Sequence, residues 1–276
     1  MDVFTPYSLD EALEVRFTHP EATPIAGGTD LMVEVNARRI RPVALLDLSH
    51  VDELKAWQKE NGTVFVGAGM TFARIARELT EFQPFVEAAH TVASPQIRNR
   101  ATIGGNLATR SPAGDGILVL AAFDADVVVA SSNSWMRRIP LGEFFVGAKR
   151  TSLGLDELIV GVEWRQVTGP GTFTKVGRRN AMVIAIASAC LQVDEAERSV
   201  RLALGSVGPS VLRAPRAEKF AREVDWSDPA TLVEFGRLAA AETRPIDDLR
   251  GSAAYRRHVV KVLAGRALAQ AEAARC

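Results

Sequence analysis

Two short glycine-bearing segments hold the residues best suited to chemistry. The first reads Pro24-Ile25-Ala26-Gly27-Gly28-Thr29-Asp30-Leu31, an apolar run closed by two glycines and a Thr-Asp pair suited to capping a helix over 31–37. The second reads Arg100-Ala101-Thr102-Ile103-Gly104-Gly105-Asn106-Leu107. Adjacent glycines let a backbone turn sharply and come close to a bound group. A helix that starts just beyond them leaves backbone N–H groups without partners, which suits an anion. Two such turns are able to close on one diphosphate from two sides. Neither segment fits G-x-G-x-x-G or the P-loop pattern, so a Rossmann or Walker site is not expected. Either pair alone reads equally as an ordinary turn in a chain with 21 glycines.

Other chemistries lack their residues. No Ser-His-Asp set, paired-carboxylate dyad or nucleophile elbow is visible in the sequence. The four histidines, His19, His50, His90 and His258, have no metal spacing. The two cysteines, Cys190 and Cys276, are too few and too distant for an iron–sulfur cluster. Cys190 lies in an apolar run and reads as a buried strand residue, and Cys276, the last residue, reads as frayed. The chain is therefore expected to carry no metal of its own. Lys plus Arg and Asp plus Glu balance at 33 each, which argues against a nucleic-acid or anionic-membrane footprint and permits association with other subunits. No apolar run approaches the roughly 18 residues of a membrane helix. The N-terminus carries Asp2 and no basic-then-apolar signal, so cytoplasmic residence is expected.

The elements that must position the glycine segments follow from pattern. Ser8-Leu9-Asp10-Glu11 forms a capping box before a short helix through Ala12 and Phe17. Val43 to Leu48 reads as a buried strand, which makes 1–55 a small α/β unit. A strand from Thr63 to Gly69, a Thr71-capped helix with Phe72, Ile75, Ala76 and Leu79 on one face, and a helix from Phe82 to Ser94 with Pro84 in its first turn follow. The second glycine turn leads into a helical stretch to Phe123. Strands over Asp126 to Ala130 and Glu157 to Trp164 complete a second unit, 56–168. Thr168-Gly169-Pro170-Gly171 reads as a linker. Beyond it, in 169–276, Phe173 to Gly177, Val183 to Val193 and Val200 to Val207 are expected to form an antiparallel sheet. Helices over Ala214 to Glu223, Pro229 to Thr243 with Asp228 as cap, and Ala253 to Ala274 are expected to cover it. The fold class expected is α+β.

Ala26-Gly27-Gly28-Thr29-Asp30-Leu31 together with Thr102-Ile103-Gly104-Gly105-Asn106 resembles the paired FAD signature of the flavoprotein (medium) subunit of molybdenum hydroxylases, the xanthine dehydrogenase and carbon monoxide dehydrogenase type. The resemblance covers essentially the whole chain. It implies a two-part FAD-binding α/β module followed by the C-terminal domain typical of these flavoproteins. It also implies that Ile25, Ala26, Gly27, Gly28, Thr29, Asp30 and Leu31 wrap the diphosphate, with Thr102, Gly105 and Asn106 on its other side. Thr109 and Asp115 match a further cofactor-touching segment, in which Gly114 replaces a larger residue. Ile159 matches an apolar residue near the adenine or flavin, and Lys175 a lysine reaching the flavin. A cation there would stabilise the anionic reduced flavin. No residue is assigned a catalytic role.

Alternatives stand beside several of these roles. Asp30 reads also as a helix cap, Asp115 as a surface turn residue and Lys175 as a solvated strand-edge lysine. Arg98 and Arg100 read as surface or partner-interface residues, and Arg178 and Arg179 are ambiguous. The resemblance further implies a small partner carrying 2Fe-2S clusters and a large partner holding the molybdopterin cofactor, arranged as a dimer of heterotrimers. Electrons would pass from the iron–sulfur partner to FAD and on to NAD⁺, a quinone or oxygen. The absence of four additional cysteines excludes the subtype with an extra cluster. A stand-alone FAD-dependent oxidoreductase of related fold and an assembly subunit without cofactor are the competing readings.

Overall fold

A computed structural model describes residues 1–147 and 150–275. Cys276 lies outside the described residues. The elements run in chain order as β1 (Asp2–Phe4), α1 (Leu9–Thr18), β2 (Ala22–Ile25), α2 (Leu31–Asn36), β3 (Ala44–Asp47), β4 (Trp57–Glu60) and β5 (Thr63–Gly67). Then come α3 (Phe72–Glu78), α4 (Gln83–Thr91), α5 (Pro95–Arg98), α6 (Ile103–Thr109) and α7 (Asp115–Phe123). They are followed by β6 (Asp126–Ser131), β7 (Ser134–Pro140), α8 (Leu141–Phe144), β8 (Phe145–Gly147), β9 (Arg150–Thr151) and β10 (Leu158–Arg165). The C-terminal part contains β11 (Gly171–Val176), β12 (Ala187–Asp194), β13 (Ser199–Gly205), β14 (Leu212–Arg213), α9 (Pro215–Ala221), α10 (Pro229–Ala241) and α11 (Ala253–Ala273). Among the described residues no helix is long and apolar enough to cross a membrane.

These elements form two compact units built from interleaved stretches of chain: 1–74, 95–110 and 125–165 in the first, and 75–94, 111–124 and 166 onward in the second. The first unit holds a parallel three-stranded sheet in the order β1-β3-β2 and an antiparallel five-stranded sheet in the order β4-β5-β10-β6-β7. Ala12 and Leu13 of α1 pack with Ala22, Leu46, Leu54, Val128 and Val160 in one core shared by both sheets. Ser8 caps α1 by accepting from Glu11 N, but the Glu11 carboxylate accepts from Tyr7 N rather than Ser8 N, one residue further out than a capping box requires.

The second unit is built on a four-stranded antiparallel sheet, β11-β12-β13-β14. Every residue of β12 is buried because both faces of the sheet are covered. Ala187, Ala189, Leu191 and Val193 point into a core with Val260, Leu263, Ala264 and Leu268 of α11. The opposite face, with Ser188 and Cys190, lies beneath α4 and α7. Burial pushes the Cys190 thiol well above its usual pKa, as expected of an inert strand cysteine. The β12 strand begins at Ala187 rather than Val183; residues 177–186 form a long loop instead. Its backbone closes with Ile186 N donating to Val176 O at 2.7 Å.

One outward donor at the edge of this sheet is met by a side chain. The Glu87 carboxylate of α4 accepts from the outward backbone N–H of Phe173 at 2.6 Å, so that donor of β11 is closed to a foreign strand. Removing that charged acceptor in Glu87→Ala is expected to cost about 1.5–3 kcal/mol, read by denaturant unfolding. The Phe173 amide should also exchange with solvent faster. An unchanged midpoint and unchanged exchange would show that the edge is held by something else.

Candidate functional site

Strand β2 ends at Ile25, and the chain turns through Ala26 to Asp30 into α2. Gly28 makes that turn at φ +72, in the left-handed region that favours glycine. Gly27 is required for a different reason. A Cβ on Gly27 would run into the carbonyl oxygen of Arg100, so the two glycine segments meet backbone to backbone. They are joined again by side chains. The Thr109 hydroxyl lies 3.1 Å from Asp30 Oδ2 and 2.9 Å from Gly105 O. The structure thus brings Gly27, Asp30, Gly105 and Thr109 together in the first unit, as a site on both segments demands.

Asp30 caps nothing: its side chain makes no bond to the start of α2 and points to Thr109 instead. Among the described residues, the successive N–H groups of Gly27, Gly28, Thr29 and Asp30 donate to no protein acceptor. A half-buried turn with several open donors has the form of an anion cradle.

The second segment is not a turn. Gly104 and Gly105 lie inside the first turn of α6, and Thr102 is its cap, accepting from Gly105 N at 3.0 Å. Ile103 N donates to Met70 O at 3.0 Å, Gly104 N to Ala68 O at 2.8 Å, and Asn106 N to Thr102 O at 3.0 Å. The expectation of a second open N–H nest is corrected here: these donors are spent on the protein. Gly104 is small because a Cβ there would lie 2.7 Å from the Cβ of Ala68 and 2.8 Å from its carbonyl oxygen. The α6 start is therefore a rigid platform that fixes Arg100 and Thr109 against the first segment. Ile159 lies in β10, buried, at the irregularity where the β6 pairing slips between Ile159 and Gly161.

In the second unit, Asp115 opens α7 and Lys175 sits near the end of β11. Their side chains are each only 8% exposed and pair at 2.6 Å. Lys175 Nζ also donates to Thr91 O at 2.9 Å, with Val183 O at 3.4 Å. Lys175 is on an edge strand, yet it is not solvated, and its ammonium hydrogens are occupied. Asp115 is not a surface turn residue. Burial pushes its carboxyl pKa up, opposed by Lys175 and by the Thr91 hydroxyl. Its second oxygen, Oδ1, is buried without a hydrogen-bond partner. Such an atom is the usual mark of a place where something polar is missing. The carbonyls of Arg100, Thr91 and Val183 complete these arrangements. Backbone oxygens carry no residue-type signal, so sequence reasoning had no means to find them.

The pattern of the FAD binding domain in molybdopterin dehydrogenase fits residues 1–164, and that of the CO dehydrogenase flavoprotein C-terminal domain fits residues 172–271. The chain belongs to this flavoprotein family. Among relatives, the nicotinate dehydrogenase FAD-subunit of Eubacterium barkeri is 32% identical over 246 residues, covering 84% of this chain and 81% of its own. The nicotine 6-hydroxylase medium subunit of Paenarthrobacter nicotinovorans is 30% identical, covering 98% and 96%. The structure superposes on a chain of carbon monoxide dehydrogenase from Hydrogenophaga pseudoflava with a TM-score of 0.91 at 27% identity, covering 99% and 97%. This flavoprotein subunit is thus an oxidoreductase component of the xanthine and CO dehydrogenase type, with its FAD-binding domain in the N-terminal part. The open donors at Gly27 to Asp30 fit the diphosphate of that cofactor.

Two substitutions test the geometry. Gly27→Ala drives a methyl into the Arg100 carbonyl and should cost about 1–3 kcal/mol. It should also lower FAD occupancy of the purified flavoprotein, read from the ratio of flavin to protein absorbance. Lys175→Met strands Asp115 as a buried carboxylate without a partner, at a cost of about 3–5 kcal/mol near neutral pH. The carboxyl then titrates further above the ordinary carboxylate range than before. The loss should be small in acid, where the carboxyl is protonated in both folded proteins, and grow only as pH rises through the already raised pKa of the paired carboxyl. Unfolding curves from acid to neutral pH read this directly, and adding Asp115→Asn should recover part of the loss.

Proposed function

We propose that this chain is the electron-transfer subunit of a molybdenum hydroxylase complex. It accepts electrons from a 2Fe-2S partner subunit and passes them to NAD⁺, a quinone or oxygen. A large molybdopterin subunit carries out substrate oxidation. The observation that carries this reading is the run of unpartnered N–H groups from Gly27 to Asp30, held in place by the backbone contact with Arg100. Bound FAD supplies the redox chemistry. The residues of this chain bind and orient it.

In this reading the Gly27 to Asp30 donors take the diphosphate. Ile25, Ala26 and Leu31 wall the same turn, and Thr102, Gly105, Asn106 and Thr109 set the platform opposite. Ile159 is assigned to the apolar part of the cofactor, and Asp115 and Lys175 to polar contacts with it. Asp115 Oδ1, lacking a partner, would gain one. With its amine already bonded to Asp115, Lys175 acts by holding that carboxylate in place. The organisation proposed is 1–55 and 56–168 as the two parts of the FAD module and 169–276 as the C-terminal domain. Relatives named as medium subunits support a place in a multi-subunit complex.

The purified complex should show flavin absorbance bands that bleach on reduction, together with iron–sulfur absorbance from its partner. Gly28→Arg, placing a long side chain at φ +72 in the cradle, should leave the chain free of FAD. A colourless wild-type protein that takes up no FAD would refute the reading, and turnover of a small substrate by the isolated chain would replace it with a stand-alone oxidoreductase.

A further inference from the structure

In the second unit, two loops lie side by side and present apolar side chains to solvent. The loop 177–186, between β11 and β12, exposes Met182 and Ile184. The loop 244–251, before α11, exposes Ile246 and Leu249, the latter 95% exposed, and Tyr255 follows on α11. The loops are tied directly. Arg178 donates to Leu249 O at 3.3 Å, and a Cβ on Gly251 would touch Ile186 at 3.2 Å and Tyr255 at 3.5 Å.

The second loop is held with unusual investment. Arg256, buried on α11, donates to Asp248 Oδ1 at 2.7 Å, to Ile186 O at 2.7 Å and to Ser206 O at 2.8 Å. Asp248 also accepts from the backbone N–H groups of Arg250 and Gly251. These bonds hold its carboxyl at a pKa of about 2, so the clamp stays charged at physiological pH. Asp247 accepts from Ala253 N at the start of α11. Both loop carboxylates are thus turned to internal bonds, while the outward products of the loop are Ile246 and Leu249.

On the 177–186 side the rim carries unpaired charge of one sign. Arg178 and Arg179 are exposed and bond only to backbone carbonyls, those of Leu249, Ala181 and Met182, with no carboxylate among the described residues pairing either. An ordered apolar surface with uncompensated guanidinium groups at its edge suits a partner with an apolar centre and carboxylates facing those arginines. We infer that the surface formed by loops 177–186 and 244–251 is where another subunit of the complex docks, through an apolar patch edged by Asp or Glu. This rests on the reading of the chain as one subunit of a complex.

The test uses the tagged full-length chain expressed in its own cells, with its stoichiometric partners identified in the wild-type complex and then quantified in variants. Leu249→Asp, and separately Arg178→Glu with Arg179→Glu, should lower recovery of one of those partners at least tenfold. FAD content of the chain itself should stay unchanged and its melting temperature close to that of the wild type, because these side chains are exposed and Arg178 gives up only one long surface hydrogen bond. Raising salt from low to high should weaken the wild-type complex and have less effect on the charge-reversed one. Undiminished recovery of every partner in both variants would overturn the inference while leaving the proposed function intact. A wild-type chain that retains FAD but brings no stoichiometric partner would overturn both. Loss of a dimer of this chain in Leu249→Asp, with partner recovery unchanged, would assign the surface to a second copy and overturn the inference as stated.

Discussion

The flavoprotein module depends on two stretches of backbone touching where neither carries a side chain. Gly27 lies against the carbonyl of Arg100, and Gly104 lies against Ala68. Each contact would be forced apart by a single methyl. Their effect is cumulative along the chain: Ala68 fixes the start of α6, α6 fixes Arg100 and Thr109, and these fix the turn at Gly27 to Asp30. The binding turn is therefore positioned by backbone packing rather than by flexible side chains. That matters for a loop whose N–H groups are left open, because unpaired donors are costly unless a ligand or solvent meets them.

The two glycine pairs look alike in sequence and do opposite things. In the first, the pair precedes the helix, so the donors ahead of α2 stay free. In the second, the cap Thr102 falls two residues ahead of the first glycine rather than two beyond the last, and the glycines become the first helical turn with their donors already satisfied. The distinction turns on where the cap falls. Thr29-Asp30 has the residue types of a cap, yet its carboxylate is drawn away by Thr109, far along the chain. Local pattern cannot report a competitor supplied by tertiary structure.

Much of the architecture was legible because it is written in local rules. Asp228 before Pro229 marks the start of α10, and the apolar run through Cys190 marks a strand buried on both faces. The expected C-terminal antiparallel sheet is present, and so are the expected helices, except that the stretch leading to Phe123 is broken into α6 and α7, with Arg110 in the left-handed conformation ending α6. Less legible was the start of β12. Val183 and Ile184 have strand-like residue types, but Val183 O is turned toward Lys175 and Ile184 toward solvent, so the strand waits until Ala187. The site was legible as residue types and illegible as bonding. Asp30, Thr109, Asp115 and Lys175 could be named, while their partners, which are backbone carbonyls and residues distant in sequence, could not.

The Lys175–Asp115 pair shows why naming residues falls short of assigning roles. A lysine imagined as a free cation would present its full charge to a cofactor. The lysine found here has spent its hydrogens on a carboxylate and on the carbonyls of Thr91 and Val183. Beyond a few times their 2.6 Å separation the two charges largely cancel, and the field is that of a nearly neutral pair. What survives is directional. One carboxylate oxygen is held by Lys175, and the other is left buried and unsatisfied. Desolvation resists the charged carboxylate, and the lysine keeps it from being expelled or protonated without cost. The pair therefore acts less as a charge than as a fixed acceptor, and its value lies in the orientation of Oδ1 that Lys175, Thr91 and the start of α7 jointly impose.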